Sequence, residues 1–190
     1  YGSIAGPVFT CAVAIDPNHP KISGVKDSKQ LSKKKREELY DIIIKEVEYA
    51  FAGASPSKIE KLNIHYARYY AMKVAVEKLL KRGIVPEKVI VDGKFPIPGL
   101  SLNQEPVIKA DAIYWQCGAA SILAKVKRDR MMAELAKTEK YSHFSWEDNA
   151  GYFTPKHREG IILYGPTTLH RYNFDYTKYC IFCHEKFNEF

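Results

Sequence analysis

The feature that most constrains the fold is the alternation of short apolar runs with long stretches of helical periodicity. The runs at residues 8–15 and 88–91 are nearly all apolar and too short for independent helices, which is typical of buried strands. Ser32 and Asn63 each precede a long stretch with apolar residues at helical spacing, and both residue types cap helices well. Strands alternating with helices predict an α/β fold built in layers.

The character of the sequence changes after residue 138, where aromatic residues and histidines become frequent. We therefore predict a core over residues 1–138 and a C-terminal, helical appendage over residues 139–190. A single helix over residues 112–137 is expected to close the core. Its segment 118–121 lacks bulky side chains, so we expect its backbone to lie close against whatever it covers.

Composition favours a globular protein that binds an anion. The chain carries 29 Lys and Arg against 22 Asp and Glu, a net charge of +7, with basic clusters at residues 33–36, 125–130 and 156–158. Hydrophobic residues make up 46% of the chain, which excludes disorder as its overall state. No apolar stretch has the roughly 18 residues that a bilayer crossing needs. We expect a cytoplasmic monomer that does not bind membranes.

The four cysteines give no strong functional signal. Cys11 and Cys117 lie inside apolar patterns, where we expect buried thiols. Cys180, Cys183 and His184 match the short C-x-x-C-H pattern of haem attachment, but such a pattern also arises by chance. A second pair of zinc ligands at suitable spacing is missing, so we interpret these residues as ordinary packing.

Two aspartates are the strongest chemical feature. Asp92 ends an apolar run and precedes Gly93, whereas Asp111 stands where a second run gives way to a helical pattern. Either alone is typical of a turn or a helix cap. Together, at strand ends in an α/β sheet, they predict a site for Mg²⁺ or Mn²⁺. In a basic chain this suggests hydrolysis of a polyanion. A two-metal phosphodiesterase needs more than two carboxylates, so we expect at least two further acidic ligands elsewhere.

Motifs along almost the whole chain resemble those of the ribonuclease HII family, the type 2 ribonucleases H of bacteria and archaea. The matching segments are Ser-Ile-Ala-Gly-Pro-Val at 3–8, Asp-Ser-Lys-Gln-Leu-Ser at 27–32, Val-Asp-Gly at 91–93, Lys-Ala-Asp-Ala at 109–112, Ala-Ala-Ser-Ile-Leu-Ala-Lys at 119–125, Asn-Ala-Gly-Tyr-Phe-Thr at 149–154 with His157, Gly-Pro-Thr at 165–167, and His-Arg at 170–171. Each match is ordinary alone, but their common order is specific.

The resemblance implies a ribonuclease H-like layered fold, with a mixed central sheet flanked by helices. Asp92 and Asp111 would be catalytic, as two of four acidic metal ligands, and Lys29 would meet a backbone phosphate. Gly2 would belong to a glycine-flanked triplet whose backbone reads the ribose 2′-hydroxyl, and Ser3 beside it is also assigned to substrate binding. Tyr152 would stack on the sugar at the junction of RNA and DNA.

The implied activity is hydrolysis of RNA in RNA/DNA hybrids and incision 5′ to ribonucleotides embedded in duplex DNA, by a two-metal mechanism with Mg²⁺ or Mn²⁺. The family's first acidic motif, an Asp-Glu pair, falls upstream of the position that matches Tyr1. We favour an enzyme whose acidic pair precedes this sequence. The alternatives are a catalytically inactive nucleic-acid binding module and an unrelated metal-binding α/β protein. His157 and His170 are expected to position or cap neighbouring groups.

Overall fold

The structure is a computed structural model that describes residues 2–172 of the 190-residue chain. Strands and helices alternate as predicted, except that the fourth strand follows the third without a helix between them. The strands are β1 (Val8–Ala14), β2 (Glu48–Ala54), β3 (Val89–Asp92) and β4 (Gln104–Val107). The helices are α1 (Lys33–Glu46), α2 (Pro56–Leu80), α3 (Ala110–Ile113), α4 (Trp115–Ala136), α5 (Trp146–Asn149) and α6 (Pro155–Tyr164), with short 3₁₀ helices at Ser28–Gln30 and Glu139–Phe144. Among residues 2–172, no helix is both long enough and apolar enough to cross a membrane.

Both predicted helix caps are confirmed. The Ser32 hydroxyl accepts a hydrogen bond from the Lys35 backbone N–H at 3.2 Å and begins α1. Asn63 interrupts α2 with a left-handed φ of 59°, and its side-chain oxygen accepts from the N–H groups of His65 and Tyr66 at 2.9 and 3.2 Å. These bonds satisfy N–H groups that a helix start leaves without a partner in the helix. Residues 56–80 are therefore two successive helices joined at Asn63.

The prediction of one continuous helix over residues 112–137 is wrong at its beginning. The chain first forms the one-turn helix α3, and Tyr114 then adopts an extended conformation (φ −103°, ψ 115°) before α4 starts. The Tyr114 N–H donates to Ala110 at 2.7 Å, whereas its carbonyl accepts from Gly118 at 3.1 Å. Tyr114 therefore belongs to the hydrogen bonding of both helices, and Asp111 is presented by a separate turn.

The pairing of β3 with β4 sets the direction of Asp92. The strands are parallel, and Asp92 lies opposite Val107. Residues 93–103 connect them without a helix, although parallel neighbours are usually joined through one. The side chain of Gln104 holds this connection: it accepts from the Ile97 N–H at 2.7 Å and donates to the carbonyls of Ile97 and Leu100 at 3.2 and 2.8 Å.

In one respect the strands differ from the expected single mixed sheet. Within residues 2–172 they form two hydrogen-bonded pairs, β1 with β2 and β3 with β4. Ala12 of β1 packs against the cluster that contains Val89 and Val91 of β3. The two pairs are thus neighbours through side-chain packing, without ladder hydrogen bonds between them.

The chain divides into two compact units. The terminal unit comprises Tyr1–Val8, Ala54–Ala67 and Arg128–Phe190, and the central unit comprises Phe9–Gly53 and Arg68–Lys127. These units divide the chain at several points, one of which lies inside α4. The domain boundary at residue 138 stays a prediction. In the central unit, α1 packs against α4 around fully buried Leu39, Ile43, Ile122 and Leu123. In the terminal unit, the core is formed by Ile4, Ala5, Met132, Ala136, Phe144, Trp146 and Ile161.

Two fully buried histidines lie beside the aromatic core of the terminal unit. Trp146 Nε1–H donates to His157 Nε2 at 3.1 Å, and this nitrogen is also 3.1 Å from His170 Nε2. Burial lowers the pKa of His157 to about 4, and burial together with His157 lowers the pKa of His170 to about 3. Both rings are therefore neutral at neutral pH.

Acid should destabilise the protein through these histidines. Their pKa values in the unfolded chain are near 6.5. Between about pH 6.5 and 4 the unfolded chain binds more protons than the folded one, so stability is complete above this window and falls as pH falls through it. His157→Asn should flatten the dependence of the free energy of unfolding by about 1.4 kcal/mol per pH unit, measured by urea unfolding from pH 7 to 4.5. His143→Asn, at an exposed histidine, is the control; equal slopes for the two variants would contradict this assignment.

Gly151 brings the segment around Ser3 close to Tyr152. Its carbonyl accepts from the N–H groups of Ile4 and Ala5 at 2.9 and 3.2 Å. Gly151 has a φ of +80°, and a Cβ there would lie 2.8 Å from the Ala5 carbonyl oxygen. This approach requires glycine, because a side chain would meet backbone that cannot move independently.

Comparison of two glycines separates this contact from backbone strain. Gly83 also has a φ of +80°, but a Cβ there would meet nothing within 4 Å. Gly83→Ala should lower the free energy of unfolding by about 1 kcal/mol through strain alone. Gly151→Ala should lower it by at least about 2 kcal/mol, because the collision with Ala5 adds to the strain. Urea unfolding of both variants checks the difference, and equal losses would show that the contact contributes nothing.

Candidate functional site

Asp92 joins the end of β3 to the beginning of α3. Its Oδ1 accepts a hydrogen bond from the Ala110 backbone N–H at 3.0 Å. Lys109, directly before Ala110, has a left-handed conformation (φ 58°, ψ 41°) that turns the chain from β4 into α3. Asp92 and the turn that carries Asp111 are therefore held together by a backbone contact, as expected for two carboxylates at neighbouring strand ends.

Asp111 lies among charged groups of the central unit. Its pKa is raised, first by burial and then by the negative charges of Asp92 and Asp27, whereas Lys29 acts in the opposite direction. Asp111 and Asp27 also interact through a side-chain hydrogen bond, which again favours the protonated form of Asp111. The structure thus brings together the two predicted metal ligands, the predicted phosphate contact Lys29, and Asp27.

Sequence reasoning missed Asp27 as a member of this cluster. It placed Asp27 in a loop, and Asp27 does cap the 3₁₀ helix by accepting from the Lys29 N–H at 2.9 Å. The only available signal was its place at the start of the Asp-Ser-Lys motif. Its approach to Asp111 depends on packing between distant segments.

That packing uses the small residues of α4. Buried Ser28 lies with its hydroxyl 2.8 Å from the hydroxyl of Ser121. A Cβ on Gly118 would lie 3.3 Å from both the Asp111 carbonyl oxygen and Val25 Cγ1. The predicted close approach at residues 118–121 is confirmed, and its partner is the loop that carries Asp27 and Lys29.

The cluster offers side chains of the kind that bind a hard divalent cation. Asp92 and Asp111 offer carboxylate oxygens, the ligands that Mg²⁺ and Mn²⁺ prefer. Their mutual repulsion, which contributes to the raised pKa of Asp111, is the repulsion that a bound cation relieves. Within residues 2–172, no group of three or more histidine, cysteine, aspartate or glutamate side chains is arranged to hold a metal.

The described cysteines add no ligand. Burial and then the charges of Asp92 and Asp111 raise the pKa of Cys117 to about 12. The pKa of Cys11 is also raised by burial. Both thiols therefore remain protonated at neutral pH, although both cysteines are half-buried and not fully buried as expected. Cys180, Cys183 and His184 lie outside the described residues.

Three further predicted site residues meet in the terminal unit. Ser3 and Tyr152 form an antiparallel bridge, and a Cβ on Gly2 would lie 3.9 Å from Tyr152 Cε1. Gly2 is exposed, Ser3 is buried, and the Tyr152 residue is 42% exposed. The backbone of Gly2 and the ring of Tyr152 therefore line one accessible surface. Of the predicted site residues, these three belong to the terminal unit, and Lys29, Asp92 and Asp111 belong to the central unit.

Arg128 fixes the backbone beneath this surface. Its Nη2 donates to Ser3 Oγ and to the Ala5 carbonyl, both at 2.9 Å, and its Nη1 donates to the Ala150 carbonyl at 2.8 Å. Sequence analysis placed Arg128 in a basic cluster, whereas the structure buries it. Burial lowers its pKa from the ordinary arginine value. Arg128 is therefore a structural residue of the site.

Arg171 supports the same segment from the other end of the chain. It donates to the carbonyls of Gly6 and Pro7 at 2.8 and 3.0 Å. Burial, followed by the charge of Arg128, lowers the pKa of Arg171 to about 10, so it stays charged at neutral pH. The His-Arg motif at 170–171 thus contributes to the site through backbone carbonyls.

Comparisons with known proteins identify the family. The family model for ribonuclease HII matches residues 1–177. The ribonuclease HII of Caldicellulosiruptor bescii is 44% identical over 174 residues, which cover 91% of this chain and 81% of that protein.

Solved structures give the same fold. The structure of ribonuclease H2 from Pyrococcus horikoshii OT3 has a TM-score of 0.74 and 26% identity, and the match covers 100% of this chain and 95% of that one. The structure of Bst-RNase HIII in complex with Mn²⁺ has a TM-score of 0.75 over 97% of this chain and 67% of that one; at 20% identity it supports the fold alone. The predicted ribonuclease H-like α/β fold is confirmed. The chain belongs to the ribonuclease HII family of ribonuclease H endonucleases (EC 3.1.26.4).

Proposed function

We propose that this chain hydrolyses RNA in RNA/DNA hybrids and incises duplex DNA on the 5′ side of embedded ribonucleotides. Family membership supports the reaction class. The observation that carries the proposal to individual residues is the convergence of Asp92, Asp111 and Lys29 in the central unit. Carboxylates beside an ammonium group can hold a cation and a substrate phosphate at the same place.

Asp92 and Asp111 are the proposed metal ligands. A bound Mg²⁺ or Mn²⁺ would act as a Lewis acid on the phosphate and lower the pKa of an attacking water. The Bst-RNase HIII structure, which was solved with Mn²⁺, is consistent with a divalent metal in this fold. Asp92 holds its orientation through the Ala110 N–H, so its carboxylate does not have to reorient when the cation binds.

We also propose a two-metal mechanism, which requires more acidic ligands than these two. The family resemblance places an Asp-Glu pair upstream of the position that matches Tyr1. The alternative is a module that binds nucleic acid without cleaving it. Sequencing the coding DNA upstream of Tyr1 separates the two: an acidic pair supports the enzyme, and its absence from the natural protein supports the binding module.

Lys29 is proposed to hold a backbone phosphate of the substrate. It is exposed, and its backbone is fixed by the Asp27 cap while its positive charge acts on Asp111. The net charge of +7 adds a general attraction for a nucleic acid duplex, which makes binding sensitive to salt.

Recognition of the ribose is proposed for the surface of Gly2, Ser3 and Tyr152. Gly2 presents backbone without a side chain, so a sugar can approach closely. The Ser3 hydroxyl already accepts from Arg128, so Ser3 would contribute through its backbone. The exposed Tyr152 ring offers a flat apolar face for the sugar next to the RNA–DNA junction. Action as a monomer in the cytoplasm stays a prediction.

Asp92→Asn tests the metal site. Loss of a carboxylate should reduce nicking of a duplex that contains one ribonucleotide by at least about 100-fold in Mg²⁺ or Mn²⁺, since metal catalysis is worth several kcal/mol. Binding of the same duplex in EDTA should change little, because phosphate contacts dominate affinity. Asp41→Asn, an equal change of charge on the exposed side of α1, is the control. Normal nicking by Asp92→Asn would refute the ligand assignment.

Tyr152→Ala tests ribose recognition. Removal of the ring should slow incision at a single embedded ribonucleotide by about 10-fold, which corresponds to a loss of stacking of 1–3 kcal/mol. Tyr152→Phe keeps the ring and should retain most of the rate. Tyr164→Ala removes another exposed tyrosine and serves as the control. Unchanged incision by Tyr152→Ala would remove this residue from the site.

A further inference from the structure

The exposed Tyr152 ring follows a turn with an unusual backbone conformation. The two preceding residues, Ala150 and Gly151, have left-handed φ values of 47° and 80°. The Tyr152 carbonyl accepts from the Thr154 N–H at 2.9 Å, and His157 Nδ1 lies 2.8 Å from the same oxygen. The contact with His157 connects this strained turn to the interior of the terminal unit.

The partners of the two histidines determine which nitrogens carry protons. A carbonyl oxygen can only accept, so His157 Nδ1 carries a hydrogen and donates to Tyr152. The Thr167 backbone N–H donates to His170 Nδ1 at 2.8 Å, so that nitrogen is unprotonated. In a neutral His170 the hydrogen is then on Nε2, which donates across the 3.1 Å contact to His157 Nε2.

The result is one directed chain of hydrogen bonds, from Thr167 through His170 and His157 to Tyr152. Every link has a single possible donor, because each ring has one hydrogen and one lone pair in the ring plane. Trp146 also donates to His157 Nε2, but the Tyr152 carbonyl and the Thr167 N–H already set the direction of the chain without it. His157 is thereby held in the tautomer that presents its Nδ1–H to the Tyr152 carbonyl.

We propose that His157 and His170 are positioning residues for Tyr152, and that they set how strongly the protein distinguishes a ribonucleotide from a deoxyribonucleotide in a duplex. This inference rests on the proposed role of Tyr152 in ribose recognition. The histidines themselves are fully buried, so they act through the backbone of residue 152. His170 acts by fixing the tautomer of His157, and His157 acts by donating to the Tyr152 carbonyl.

Two substitutions at His157 separate positioning from core packing. Asparagine places its amide nitrogen near the position of Nδ1, so His157→Asn keeps a donor to Tyr152 and loses the contacts with Trp146 and His170. Glutamine places its amide oxygen near Nε2, so His157→Gln keeps those two contacts and loses the donor to Tyr152. Both replace an aromatic ring by a flexible amide, and their effects on stability should be similar.

The measurement is a ratio of dissociation constants, for one duplex with and without a single ribonucleotide, determined by fluorescence anisotropy in EDTA with the full chain. This ratio requires no cleavage and cancels general losses of phosphate binding. Tyr152→Ala should reduce the preference by about 10-fold. His157→Gln should reduce it similarly, and His157→Asn should retain it. In the Tyr152→Ala background, His157→Gln should have no further effect, because the two changes act through one ring.

The control is Trp146→Phe, which loosens the same core and leaves the Nδ1–H bond to Tyr152 in place. It should lower the melting temperature without changing the ratio. His170→Asn, which keeps an acceptor for the Thr167 N–H and removes the hydrogen that His170 Nε2 donates to His157, is the second variant if His157→Gln does not fold; it should shift the ratio in the same direction by less.

The outcomes are distinguishable. If Tyr152→Ala reduces the ratio and neither His157→Gln nor His170→Asn does, the positioning role is refuted and the proposed function stands. Equal reductions by His157→Gln, His157→Asn and Trp146→Phe would also refute it, since the cause would be general loosening of the core. If Tyr152→Ala leaves the ratio unchanged, the proposed ribose recognition fails and this inference fails with it.

Discussion

Arg128 lies inside the terminal unit and gives its hydrogens to oxygen atoms of the segments around it: Ser3, Ala5, Pro7 and Ala150. A buried guanidinium is tolerated only when its hydrogens have partners, so those oxygens must remain where its planar geometry needs them. Two stretches of chain that are distant in sequence are therefore tied to one rigid group. Gly2 and Tyr152 lie beside these two segments in the sequence, so Arg128 also limits where they can be.

The two units hold their candidate site residues in place by different interactions. In the terminal unit, the buried arginines and the neutral histidines fix the backbone that carries the exposed ring of Tyr152 and the exposed Gly2. In the central unit, carboxylates are brought together despite their repulsion, because Asp92 bonds to the backbone of Ala110 and the loop of Asp27 packs on Gly118. A carboxyl whose pKa is raised by such repulsion is typical of functional sites.

Short stretches of sequence correctly predicted the structural features that depend only on residues close in the chain. Ser32 and Asn63 were predictable caps, because a cap needs only a short side chain and the next turn of helix. The interruption at Tyr114 was not, since neither glycine nor proline marks it and a tyrosine is acceptable within a helix. It depends on how α4 packs, which a window of sequence does not contain.

The candidate site shows the same contrast between features set by local sequence and features set by packing of distant segments. The closeness of Asp92 and Asp111 could be predicted because strand ends converge in an α/β sheet, whereas Lys29 and Tyr152 were proposed only from the shared motifs. Asp27 was missed because its approach to Asp111 is decided by a contact between Ser28 and Ser121, 93 residues apart. Arg128 was assigned only to a basic cluster, because nothing in a basic run indicates which member is buried.

The connection between β3 and β4 has a chemical consequence of its own. Three hydrogen bonds that close residues 93–103 come from the single amide of Gln104, two of them donated to carbonyls. Deamidation of Gln104 would replace the donating nitrogen by a charged oxygen and turn both donated bonds into repulsion. The connection between β3 and β4 would lose two of the hydrogen bonds that hold it, and Asp92 lies at the end of β3. Chemical ageing at this one glutamine would therefore disturb the position of Asp92 without altering Asp92 or Asp111 themselves.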